Sequence, residues 1–275
     1  MIAARSLLLA ATLLAALPVA ADEPCSSEAA APAAYEQCIA RLYRQPVAEW
    51  PAPQIDADVQ WQEMGPLPER APSPVDNPFT EASRALGERL FNDPKLSRSG
   101  QIACASCHEP DEAFADGRRV SFGHDRQSGK RNAPSLVMSG FTGHLFWDGR
   151  SPSLEAQALV PVTDHVEMAF TTEELLARLN ADADYPALFR ETFGASGAIT
   201  ALQISRALAT YQRTLVSAVR NTAFEQLLRG RPQRMSDRQL LGLHLFRTQA
   251  RCMNCHFGPA LSDDRFHNIG LTYYG

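Results

Sequence analysis

The sequence predicts a mainly α-helical fold, and three observations carry the prediction. Helix-starting boxes, in which a hydroxyl and an acid or amide three residues on satisfy the free first-turn amides, recur at Thr171 with Glu174, Thr200 with Gln203 and Ser236 with Gln239. Apolar residues repeat at helical spacing, most clearly at Ile204, Leu208, Tyr211 and Leu215. Nowhere in the 275 residues is there a convincing run of strand alternation.

Taken in order, residues 1–21 combine Arg5, an apolar run over 7–17 and the small-residue ending Val19-Ala20-Ala21. This reads as a cleaved secretory signal, its apolar core being too short to span a bilayer. The expectation is an exported protein, soluble because no later apolar run reaches membrane-spanning length. Residues 22–79 are rich in Pro and Ala, and their prolines forbid long regular structure outside a helix-like patch at 33–43. They read as an extended arm wrapping the first domain. Residues 80–92 return to helical spacing through Ala82, Leu86, Leu90 and Phe91, and Pro94 stops that helix. The longest predicted helix covers 200–217. With 26 basic and 31 acidic residues the net charge is -5, which argues against a nucleic-acid binder.

The chemistry is concentrated in Cys104-Ala105-Ser106-Cys107-His108 and Cys252-Met253-Asn254-Cys255-His256. Two thiols three positions apart can each add across a haem vinyl group, and the histidine that follows can bind the iron. The prediction is two covalent haem c groups. The alternative is one structural zinc held by both cysteine pairs, which does not explain why histidine follows the second cysteine each time. Cys25 and Cys38 remain of the six cysteines and could close a disulfide in an oxidising compartment. Pro24 stands where a lipid-anchor signal needs a small residue, which argues against lipidation of Cys25.

A weak repeat places Leu86-Gly87 and Leu90-Phe91 before the first motif and Leu241-Gly242 and Leu245-Phe246 before the second. The implied organisation is two cytochrome-c-like haem domains with long loops, at 80–218 and 219–275, with the boundary between 217 and 232. The second is expected to be incomplete.

These motifs, together with Leu90-Phe91-Asn92-Asp93-Pro94-Lys95-Leu96-Ser97, Arg131-Asn132-Ala133-Pro134, Phe146-Trp147-Asp148-Gly149-Arg150, Leu154-Glu155-Ala156-Gln157, Val166-Glu167-Met168 and Phe266-His267-Asn268-Ile269-Gly270, resemble the bacterial di-haem cytochrome c peroxidase and MauG superfamily. The resemblance runs over residues 82–275. It implies that His108 is the proximal ligand of a peroxidatic haem and His256 that of an electron-transfer haem. By the same resemblance His124 caps the peroxidatic iron in the resting oxidised state, Trp147 lies between the haems, and Gln157 and Glu167 line the peroxide pocket. Asn132 matches a side-chain ligand of a calcium ion between the domains. Alone, His124 would read as a surface histidine, Glu167 as an exposed acid and Trp147 as a core aromatic. His144, His165, His244 and His267 are left as structural or surface residues.

The residue types suit the chemistry. Cleaving a peroxide O–O bond needs a group that takes a proton from the near oxygen and returns it to the leaving one, and a carboxylate raised by desolvation does both. Gln157 cannot titrate, so it can only orient. Three functions compete. The first is a periplasmic peroxidase reducing hydrogen peroxide with electrons from a small cytochrome c or cupredoxin. The second is a MauG-like enzyme oxidising Trp or Tyr of a partner protein. The third is a di-haem electron carrier, for which Glu167 and Gln157 would serve no purpose. In the family the second iron takes a further Met or Tyr well downstream, expected here beyond Gly275 because Tyr273 and Tyr274 come too soon. The oligomeric state is left open, a homodimer included.

Overall fold

The computed structural model describes Cys25 and residues 31–194, 197–216 and 219–270. The signal-like segment and the two C-terminal tyrosines lie outside the described residues. Regular structure among them is helical, and pairing is limited to the isolated bridges Glu109–Ala115, Phe122–Ser128 and Leu145–Ser151. The helices are α1 (Pro32–Tyr43), α2 (Glu81–Asn92), α3 (Leu154–Gln157), α4 (Val160–Thr163), α5 (Thr172–Asn180), α6 (Tyr185–Phe193), α7 (Ala201–Gln212), α8 (Ala223–Leu228) and α9 (Asp237–Arg247).

The expected caps form. The side chains of Thr171, Thr200 and Ser236 accept from the backbone N–H groups of Glu174, Gln203 and Gln239, starting α5, α7 and α9. Helix α7 is shorter than its apolar stripe suggests. Its regular turns end at Gln212, and Leu215 N–H then donates to Gln212 O while Val216 N–H donates to Thr214 O. Leu215 and Val216 stay buried through this tighter turn, so the apolar pattern continues although the helix does not. Helices α6 and α8 have no strong sequence signal, being nine and six residues long.

Two buried clusters organise these helices. The first joins Leu86, Leu90 and Phe91 of α2 to Ile204, Leu208 and Tyr211 of α7 and to Leu175, Leu179, Tyr185 and Phe189. Gly87 lets α2 and α7 meet: a Cβ there would lie 2.0 Å from the Ala207 carbonyl oxygen. The second cluster corrects the reading of the N-terminal arm. Ile39, Ala40 and Tyr43 of α1, with Trp50 and Met64, pack on Leu227, Leu228, Leu240, Leu243 and Met253. The arm is therefore built mainly into the second unit rather than wrapped around the first. Cys25 and Cys38 are joined as a disulfide that ties the start of the arm to α1.

Candidate functional site

Both Cys-x-x-Cys-His stretches fold identically, each as a short 3₁₀ turn at Cys104–Ser106 or Cys252–Asn254. The backbone N–H of His108 donates to Cys104 O at 3.0 Å, and that of His256 to Cys252 O at 2.9 Å. Each imidazole is then oriented through Nδ1, which lies 2.9 Å from Phe114 O in His108 and 3.0 Å from Leu261 O in His256. A carbonyl can only accept, so Nδ1 carries the proton and Nε2 keeps the lone pair that an axial iron ligand needs. The repeated Leu-Phe pair explains itself here: Phe91 stands 6.4 Å from the His108 ring and Phe246 stands 6.2 Å from the His256 ring.

The four cysteines of these loops are half-buried free thiols. Burial pushes Cys104 up to about 12 and, with the same cause, raises Cys107. Burial also holds His108 below the ordinary imidazole value, which favours the neutral, ligating form. Neutral imidazole beside paired thiols on one loop is a donor set that fits a covalent haem.

Glu167 lies near enough to the first loop for its charge to add to the raising of the Cys104 and Cys107 thiols. Desolvation and the neighbouring Asp164 raise its own carboxyl above the usual range, with Arg150 opposing. Gln157 closes α3 half-buried. That helix is anchored by Glu155, whose carboxylate takes both Arg213 Nη atoms at 2.6 and 3.0 Å and Asn77 Nδ2 at 2.7 Å.

His124 is bound directly to the Glu167 segment. Its backbone N–H is shared between Val166 O at 2.9 Å and Glu167 O at 2.8 Å, and Gln127 Nε2 donates to His165 O at 3.3 Å. The close approach requires Gly123, where a Cβ would lie 2.1 Å from Val166 O. The His124 side chain is 18% exposed and lies 3.5 Å from Asp125, while its Nδ1 is buried with no hydrogen-bond partner among the described residues. An imidazole with an unsatisfied buried nitrogen suits a ligand.

Trp147 is 74% exposed, so it is not a core aromatic, and Arg131 lies over its ring at 5.0 Å. Its loop is tied to the segment that follows the second attachment motif. Thr142 Oγ1 and Gly143 N–H both donate to the Asp264 carboxylate, and the His144 and Phe266 rings stand 5.4 Å apart. Asn132 is exposed, and its amide donates to Ala133 O at 3.4 Å. Among the described residues the one gathering of three Cys, His or acid donors is Cys255, Asp263 and His267, so no carboxylate cluster is assembled around Asn132. Of the histidines left aside, His267 pairs with Asp263 at 2.7 Å and His244 is buried against Tyr43. The acids Asp56 and Glu63 of the arm, which reach Asn254 of the second loop and Arg247 of α9, have no local signal in a proline-rich stretch.

A helical chain with two such loops is a double c-type haem-binding protein in its donor set. It belongs to the di-haem cytochrome c peroxidase family, whose model matches residues 81–233. The chain is 39% identical to the methylamine utilization protein MauG of Methylophilus methylotrophus, a match covering 74% of this chain and 61% of that protein. It is 33% identical to the cytochrome c551 peroxidase of Pseudomonas aeruginosa over 75% of this chain and 59% of that one. A solved structure of a MauG-like protein associated with microbial copper homeostasis matches with a TM-score of 0.64 and 32% identity, covering 78% of this chain and 62% of the other. The chain thus spans about three-fifths of these relatives.

Proposed function

We propose that the protein is an exported, periplasmic di-haem c peroxidase that reduces hydrogen peroxide to water. Cys104, Cys107 and His108 hold the peroxidatic haem in a unit at 80–218. Cys252, Cys255 and His256 hold the electron-transfer haem in a unit at 219–275, where a small cytochrome c or cupredoxin delivers electrons. The observation that carries this reading is Glu167, a carboxyl raised by desolvation whose charge is felt at the first attachment loop.

A bound haem supplies an open iron position and the electrons for O–O cleavage. Glu167 takes the proton from the near oxygen of peroxide and returns it to the leaving oxygen; two electrons and two protons convert one peroxide to two waters. Gln157 orients peroxide by hydrogen bonding, and Trp147, an oxidisable ring exposed on its loop, relays electrons between the haems. His124 would be the residue that holds the first iron at rest. Calcium would belong to this reading as well, with Asn132 as one side-chain ligand.

The second reading, a MauG-like enzyme oxidising Trp or Tyr of a partner protein, is favoured by the 39% identity to MauG. His124 separates the two. In the peroxidase the oxidised protein has a low-spin first haem and reacts poorly with peroxide, one-electron reduction makes that haem high-spin, and His124→Gly is high-spin and reactive at once. An oxidised parent that is already five-coordinate and reacts directly with peroxide overturns the capping role and selects the second reading.

A further inference from the structure

The arm meets the second attachment loop and the residues flanking it at three points, all outside the span that the family model matches. Asn254 Nδ2 donates to the Asp56 carboxylate, and Asp56 N–H donates back to Asn254 Oδ1 at 3.0 Å. The same carboxylate pairs with Arg251, and Gly258 N–H donates to Gln62 O at 3.0 Å. The third contact is the deepest. Arg247, 0% exposed, forks onto Glu63 with both Nη atoms, donates to Pro51 O at 3.1 Å and lies 3.6 Å from the sulfur of Met253, itself 0% exposed. Trp50 stacks on the guanidinium at 5.3 Å.

The cationic guanidinium is thus held against Met253, one of the two residues between the attachment cysteines. Reducing a haem iron lowers its charge by one. A nearby buried cation therefore stabilises the reduced form, and a carboxylate that neutralises the cation weakens this effect. Burial keeps solvent and salt from screening it. Glu63 stands at the rim, its side chain 35% exposed, where it trims the field of Arg247 without adding a second fully buried charge.

We propose that the Arg247–Glu63 pair sets the reduction potential of the haem at Cys252, Cys255 and His256, with the arm as the carrier of the compensating carboxylate. Both are positioning residues, since neither touches substrate. The inference rests on the reading that a haem occupies this loop.

The test uses the exported holoprotein, with haem counted by intact mass and both potentials read by spectroelectrochemical titration. Glu63→Gln keeps two haems and shifts one potential upward. Glu63→Asp, which keeps the charge, leaves both near the parent. Arg247→Gln shifts the same potential downward, and Arg247→Lys restores it. Because Arg247→Gln removes a buried side chain that folding can require, the Glu63 pair of variants decides the matter alone. Two haems with unmoved potentials in Glu63→Gln, a downward shift, or loss of the second haem from that variant overturns the tuning role. A parent carrying no second haem overturns the functional reading together with it.

Discussion

Gly123→Ala asks whether the loop bearing the candidate cap and the segment bearing the candidate base act as one unit. The added Cβ would stand 2.1 Å from Val166 O, 2.6 Å from Glu167 O and 2.7 Å from Glu167 Cα. All three are backbone atoms, so no rotamer change relieves the clash, and the two strands of chain must part by about 1 Å to reach ordinary contact. Overpacking of this kind costs about 1–3 kcal/mol. The shared hydrogen bond from His124 N–H to Val166 O and Glu167 O is lost as well, for about 1 kcal/mol. The expected loss is about 2–4 kcal/mol, inside the roughly 5–15 kcal/mol that a typical protein has, so the variant stays folded with Glu167 displaced. A misplacement of about 1 Å at a reacting group costs on the order of a hundredfold in rate. Gly129→Ala is the control from the same loop, since its nearest neighbours lie at 3.5 and 3.7 Å. Urea unfolding and peroxide turnover on the two haem-loaded variants make the comparison. A Gly123→Ala protein as stable and as active as Gly129→Ala would refute the coupling.

Glu167→Gln keeps the shape and both haems but lowers peroxide turnover at least about a hundredfold in steady-state assays, because an amide cannot shuttle a proton. In the parent, turnover falls as pH drops through the raised pKa of Glu167, since the proton acceptor is its ionised form. The stability effect has the same origin: the folded state holds this proton more tightly than the unfolded one, so between the ordinary carboxylate value and the raised one the parent loses stability as pH rises, a slope that Glu167→Gln removes in pH-dependent unfolding. The two glycines of the internal repeat should part company on thermal melting. Gly87→Ala destabilises through its clash with Ala207, while Gly242→Ala, whose Cβ meets nothing within 4 Å among the described residues, gains up to about 1 kcal/mol.

Local chemistry was legible in the sequence wherever the signal and the structure lie within a few residues of each other. The hydroxyl–acid and hydroxyl–amide boxes start α5, α7 and α9 because a cap satisfies amides only three positions away. The Cys-x-x-Cys-His spacing defines both attachment loops because one short turn brings the histidine N–H back to the first cysteine. The repeated Leu-Phe pair signalled duplication, although the glycine beside it packs closely only at Gly87.

What the tertiary structure decided are the pairings between distant segments. The proline-rich arm carries no periodicity to say which unit it joins, and it joins the second because α1 and α9 bury apolar faces against each other and Arg247 finds Glu63. No local signal marks Gly123, yet it serves close backbone contact with Val166 and Glu167, which pins His124 to the segment of the candidate base. Capping and attachment-loop contacts close within one turn, so residue type and spacing suffice to specify them. The burial of Arg247 and the approach at Gly123 depend on which surfaces remain after the helices pack, and that is a property of the whole chain.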